Sequence, residues 1–103
     1  MLARDDNYPR TTVSDGTCRL TLWQADRSKP AIPFDRKTQI GLHHLALEVG
    51  TEAELNASAA RIREWPGVTI EFEPEPLAGG PRKHMMFAEP GGIRLELIWT
   101  GTA

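Results

Sequence analysis

The chain has 103 residues, 12 Lys plus Arg against 14 Asp plus Glu, a formal net charge of -2 and one cysteine. That length supports one domain, 1–103, with a modest core. The lack of a basic excess argues against a nucleic-acid or anionic-membrane partner, and a lone Cys18 excludes an intramolecular disulfide framework and a Cys-rich zinc site. No apolar run approaches the roughly 20 residues of a membrane span, and residues 1–7 (MLARDDN) carry acids where a secretory leader would be apolar. A soluble, cytoplasmic protein is therefore expected.

Residues 1–7 are polar and are expected to fray. In 8–24 (YPRTTVSDGTCRLTLWQ), Asp15-Gly16 is the pair that a two-residue hairpin turn prefers, which predicts strands at 9–14 and 17–24. Counting outward from that turn pairs Val13 with Cys18, Thr11 with Leu20 and Pro9 with Leu22, and makes one face largely apolar. Tyr8, Arg10, Thr12, Arg19, Thr21 and Trp23 fall on the other face, which suits either water or a ligand cup. Residues 25–40, with two prolines and no period, read as a connection. Residues 41–49 (GLHHLALEV) alternate again, with His43, Leu45, Leu47 and Val49 opposite Leu42, His44, Ala46 and Glu48, and read as a central strand.

Thr51 followed by Glu54 is a capping box, and Leu55, Ala59, Ile62 and Trp65 form an apolar stripe, so 51–65 is the one strong helix. Pro66-Gly67 ends it. Val68, Ile70 and Phe72 alternate with Thr69, Glu71 and Glu73 as a strand with one buried face, and 74–83 reads as loop, with Gly79-Gly80 giving the composition of a flap. Residues 81–99 read as two strands folded back around Pro-Gly-Gly. There Ile93, Leu95, Leu97 and Trp99 share one face and Arg94, Glu96 and Ile98 the other. Glu96 thus lies mid-strand between leucines, and if its face is enclosed the carboxylate must be paired or bound to a cation. The expected class is α+β: a βαβββ unit at 41–99 with an added N-terminal hairpin, and a curved, antiparallel-rich sheet with one helix on its convex face. No internal sequence repeat is evident, although the first hairpin looks like the tail of a second such unit.

The strand GLHHLALEV, the helix and then FAEPGGIRLELIW resemble the vicinal oxygen chelate superfamily, the group of glyoxalase I, extradiol dioxygenases, methylmalonyl-CoA epimerase and bleomycin- and fosfomycin-resistance proteins. The resemblance covers 41–99 as a complete module and 8–24 as part of a first one. It implies two packed modules around a divalent metal, with His44 and Glu96 as ligands, although EPGG stands where the family usually has Asp-Pro-Asp-Gly. A His and a Glu suit Zn, Fe, Mn, Ni or Co with open positions for a substrate. The first strand and helix of the pattern, which normally bring another ligand, precede the residues present here. A second copy of the chain would complete the cup as a homodimer. Alternatively, His84 supplies the nitrogen, if a three-residue turn sets His84 and Met86 beside Glu96; a four-residue turn would set Met85 and Phe87 there. The third alternative is no metal at all. The resemblance implies a lyase, isomerase or dioxygenase acting on a small, oxygen-rich, anionic molecule, with Glu96 catalytic. Arg10, Arg19, Trp23, His84, Met86 and Arg94 are the candidate substrate-binding residues. The alternative is a metal-free protein that sequesters a drug. His43 is assigned no role.

Overall fold

The computed structural model describes residues 3–5, 10–25, 28–30 and 32–101. The chain divides into two compact units, Met1–Ile32 and Pro33–Ala103. In the first, β1 (Ala3–Asp5), β2 (Arg10–Ser14) and β3 (Arg19–Trp23) form an antiparallel sheet in the order β1-β2-β3. The N-terminal stretch expected to fray therefore contains a strand, paired Ala3 to Thr12 and Asp5 to Arg10. The hairpin register also differs from expectation, since Val13 faces Leu20 and Thr11 faces Leu22. The cause is Asp15, whose Oδ1 accepts from the backbone N–H of Thr17 at 2.8 Å and of Cys18 at 2.9 Å, while Ser14 Oγ accepts from Gly16 N–H. These bonds make a four-residue loop instead of a two-residue turn. The slip is by two residues, so each side chain keeps its face. Thr12 and Thr21 still meet at 3.1 Å and Arg10 still lies over the Trp23 ring. Tyr8 and Pro9 lie outside the described residues.

The second unit runs β4 (Leu45–Val49), α1 (Glu52–Glu64), β5 (Thr69–Pro76), β6 (Lys83–Ala88) and β7 (Arg94–Trp99). Its sheet order is β4-β7-β6-β5, with β4 parallel to β7 and the other pairs antiparallel. The βαβββ order is as expected, but β4 is at an edge and β7 is interior. Alternation reveals a half-buried strand without revealing how many neighbours it has.

Thr51 Oγ1 accepts from Glu54 N–H at 3.0 Å, and the Glu54 carboxylate reaches back to Gly50 N–H, so both ends of the predicted cap are used. Leu55 and Ala59 are buried on the sheet with Met85, Phe87 and Leu97, and Val49, Ile62, Val68, Ile70, Leu95 and Trp99 pack around them. Trp65, expected to extend the stripe, is instead 65% exposed, because it is the C-cap and its backbone is already extended. Glu52–Lys83 and Arg63–Glu73 tie the helix to the sheet through largely exposed ion pairs of modest worth.

β5 departs from simple alternation. Ile70 pairs with Phe87 but Phe72 pairs with Met86, so one residue, Glu71, is inserted without a partner. Ile70 therefore faces the helix while Phe72 turns to the opposite face, against the expectation that Val68, Ile70 and Phe72 share one. The strand also runs on to Pro76, further than expected. The segment after it closes as a short hairpin, with Leu77 N–H on Arg82 O and Gly80 N–H on Leu77 O.

Leu55→Ala should lower unfolding free energy by roughly 2–5 kcal/mol and Thr51→Ala by about 1 kcal/mol. Trp65→Ala should stay within about 0.5 kcal/mol. Urea unfolding followed by circular dichroism checks all three.

Candidate functional site

The register of the last hairpin decides which side chains meet Glu96. Glu89 and Ile93 close the turn around residues 90–92, Glu89 N–H donating to Ile93 O and Ile93 N–H to the Glu89 carboxylate. With three residues in the turn, Met86 pairs with Glu96 and His84 with Ile98. His84, Met86 and Glu96 then share the face turned away from the helix, the first of the two expected alternatives. On the other side of β7 the partner of Glu96 is Ala46. Its short side chain leaves that flank to the His44 ring, which lies just ahead of β4.

Glu96 is the one charged residue among the described residues that is buried, at 8% exposure. Both its oxygens are occupied: Oε1 lies 3.0 Å from His44 Nε2 and Oε2 lies 2.5 Å from His84 Nδ1. A buried carboxylate oxygen left without a donor would cost roughly 1–3 kcal/mol. The His84 ring is backed by Phe72, 4.9 Å between centroids. This contact exists because the bulge in β5 turns Phe72 to this face.

A second layer extends from His44. His44 Nδ1 is 2.7 Å from His43 Nδ1, and His43 Nδ1 is 3.2 Å from Arg94 Nη1. Arg94 is held by a forked pair to Glu71, Nε to Oε1 at 2.9 Å and Nη2 to Oε2 at 2.7 Å. Those bonds hold the Glu71 carboxyl below its ordinary range and raise the Arg94 guanidinium. Desolvation, then the charges of Arg94, His44 and Arg36, hold His43 below the ordinary imidazole value.

Beside this layer is an open cavity of about 330 Å³ whose lining includes Phe34, Arg36, His43, Glu71 and Arg94. One wall comes from the segment read as a plain connection. Asp35 O accepts from Gln39 N–H, Asp35 N–H donates to Gln39 Oε1, and Asp35 Oδ1 accepts from Lys37 N–H, so the chain turns and presents Arg36. Gly41 allows the Phe34 ring to close in, since a Cβ there would stand 2.6 Å from it.

Of the residues singled out from sequence, His44, His84, Met86 and Glu96 are thus brought together, and Arg94 is adjacent. Arg10, Arg19 and Trp23 belong to the other unit. There β3 repeats a short word of β7, Arg19-Leu20-Thr21-Leu22 against Arg94-Leu95-Glu96-Leu97, with Thr21 where β7 has its acid. His43, Phe72 and Arg36 were missed. The tandem histidines were a signal for His43; nothing in the pattern signals the bulge that places Glu71 and Phe72.

The profile of the Glyoxalase/Bleomycin resistance protein/Dioxygenase superfamily matches residues 3–97. A 2-epi-5-epi-valiolone epimerase from Actinomyces sp is 39% identical over 66 residues, 61% of this chain. The match spans 34% of that relative, about a third of its length. Among solved structures, hypothetical protein SA1046 from S. aureus aligns with a TM-score of 0.69 at 16% identity, over 94% of this chain and 73% of that one. A glyoxalase/bleomycin resistance protein/dioxygenase from Alicyclobacillus acidocaldarius gives 0.61 at 14%, over 89% and 67%. One from Nocardioides gives 0.55 at 19%, over 90% and 67%. At these identities the structures bear on the fold alone.

The lowered Glu71 carboxyl has a consequence for acid stability. Its contribution is complete above the unfolded value near 4.5 and is lost as pH falls through the lower folded value. Glu71→Gln should remove about 0.5 kcal/mol at neutral pH and flatten the stability profile below pH ~4.5. Unfolding midpoints measured across that range check it, and the difference should shrink in high salt.

Proposed function

Because the chain belongs to the Glyoxalase/Bleomycin resistance protein/Dioxygenase superfamily, we propose that it is a metal-dependent enzyme of the glyoxalase and dioxygenase type acting on a small oxygen-rich substrate. The observation that carries this reading is the buried Glu96 carboxylate with an imidazole from a different segment on each oxygen.

The donor chemistry fits a divalent first-row ion such as Zn, Fe, Mn, Ni or Co: two imidazole nitrogens, His44 Nε2 and His84 Nδ1, and one carboxylate. As they stand, the ring nitrogens are engaged with Glu96 instead of being arrayed around a common point, and no ready three-ligand group exists among the described residues. Binding therefore requires the N–H protons on the two contacts to leave, so affinity should rise with pH. When bound, such an ion supplies a Lewis acid with positions open to neighbouring substrate oxygens.

The epimerase relative favours an isomerase among the reactions of the superfamily. In such a reaction a proton leaves and returns at a carbon beside a carbonyl. The cavity beside His43 has room for a ring-sized molecule. Arg36 lines it, and its guanidinium orients an anionic or oxygen-rich group there.

The protein works as a homodimer in this reading. Among the described residues β4 pairs only with β7, and Leu42 and Leu47 are exposed at that edge at 62% and 39%. Light scattering at micromolar concentration should give twice the chain mass, and Leu47→Lys should shift it toward the monomer.

Calorimetric titration of tag-free, EDTA-treated protein with Co²⁺ or Zn²⁺ should show one site per chain. It should be abolished in Glu96→Ala and weakened at least about tenfold in His84→Ala. If neither ion binds and thermal shifts respond only to aromatic cations, a sequestering protein of the bleomycin-resistance type replaces this reading.

A further inference from the structure

The functional reading uses the cavity beside His43 for its size and for Arg36, but not for the way its walls are made. Two of the lining side chains, Phe34 and Arg36, come from one short turn. That turn is pinned at the residue between them. Asp35 O accepts from Thr38 N–H at 3.2 Å and from Gln39 N–H at 2.9 Å, Asp35 N–H donates to Gln39 Oε1 at 2.6 Å, and Asp35 Oδ1 accepts from Lys37 N–H at 2.9 Å. Ring and guanidinium therefore reach the same space from a shared, braced base. The ring is seated by Gly41, where a Cβ would stand 2.6 Å from Phe34 Cε1 and 3.0 Å from Cζ. Gly41 has no positive φ, so a side chain there would disturb the ring and not the backbone.

Across the cavity, charge is already balanced. Arg94 Nε and Nη2 take both oxygens of Glu71, and the Asp35 carboxylate is engaged within its own turn. The Arg36 charge is felt there too: at Glu71, whose carboxyl is held low first by Arg94, and at His43, whose ring is held low first by desolvation. A permanently charged fork that faces an acid already satisfied suits a carboxylate or phosphate brought from outside. A dry cavity of about 150 Å³ holds a benzene ring, so about 330 Å³ has room for a ring with a charged substituent. Phe34, 42% exposed, keeps surface for that ring to pack on.

We propose that Phe34 and Arg36 form a two-part recognition element for a single ring bearing a carboxylate or phosphate, with the ring packed on Phe34 and the anion held by the Arg36 fork. This names the substrate class of the site proposed above and rests on that reading for its place in an enzyme; the binding itself requires no metal.

Benzoate, phenyl phosphate and neutral benzyl alcohol are titrated into tag-free, ¹⁵N-labelled protein, EDTA-treated and again with Co²⁺, and the amide shifts are followed. Benzoate or phenyl phosphate should saturate, with shifts centred on residues 34–41 and 92–94, at least about tenfold more tightly than benzyl alcohol. The tighter of the two identifies the anionic group. Arg36→Ala should bring that anion to the level of benzyl alcohol. Phe34→Ala and Gly41→Ala should each weaken it about three- to tenfold, with circular dichroism and the thermal midpoint reporting the fold. These are two routes to the same lost contact, so the test stands if one variant does not fold. Equal affinity for benzyl alcohol and the anions, wild-type anion affinity in Arg36→Ala, or wild-type affinity in a folded Phe34→Ala or Gly41→Ala overturns the proposal. If the wild type takes the anion but no Co²⁺, the metal reading fails and the recognition element stands. If it binds Co²⁺ and neither anion in either form, the recognition element fails and the metal reading stands.

Discussion

A carboxylate cannot be taken out of water in the middle of a sheet without donors on both oxygens, and Glu96 makes that demand of the whole second unit. It lies on the interior strand β7, between Ala46 on β4 and Met86 on β6. Its donors must come from outside its own strand: His84, two residues before Met86 on β6, and His44 from the lead-in to β4. The parallel pairing of β4 with β7 is what brings His44 in, and the helix between β4 and β5 is the crossover that makes room for that pairing. The helix also closes the opposite face with Leu55 and Ala59 on Met85, Phe87 and Leu97, so core and acid are served by alternate residues of the same strands.

The two units share a vocabulary. Arg-Leu-x-Leu opens both β3 and β7, with Thr21 in one where Glu96 stands in the other. Thr21 is answered across its hairpin by Thr12 Oγ1 at 3.1 Å, a neutral hydroxyl pair that needs no charge compensation. The charged member of the two equivalent positions is the one that acquired histidines around it.

Much of this was legible in the residues. The capping pair Thr51 and Glu54, the stripe Leu55-Ala59-Ile62 and the alternation of Arg94–Trp99 are local patterns with a fixed period, and they predicted the helix and the β7 faces, while the burial of Glu96 stayed conditional on whether its face is enclosed. The meeting of His44 with Glu96 rested on resemblance, because no local rule links two segments 52 positions apart. What failed to show depended on side-chain bonds to backbone or on counting neighbours. The Asp15 carboxylate lengthened a turn that dipeptide preference would have made shorter. Edge or interior placement of β4 has no signature in its own residues. His43 looked idle because its partner Arg94 is in contact only after the strands pair.

β5 shifts register twice against β6, between Ile70 and Phe72 and again between Phe72 and Glu75, and the first shift, one extra residue, divides the strand into stretches with opposite allegiance. Before it, Ile70 belongs to the helix side; after it, Phe72 belongs to the histidines; at it, Glu71 is free of the ladder and available to Arg94. A strand without such an interruption would bind hydrophobic packing and polar chemistry to one rigid alternation. Here sequence drift on the helix side need not disturb the side that holds the histidines, so packing and polar contacts can be adjusted independently along one ribbon of backbone.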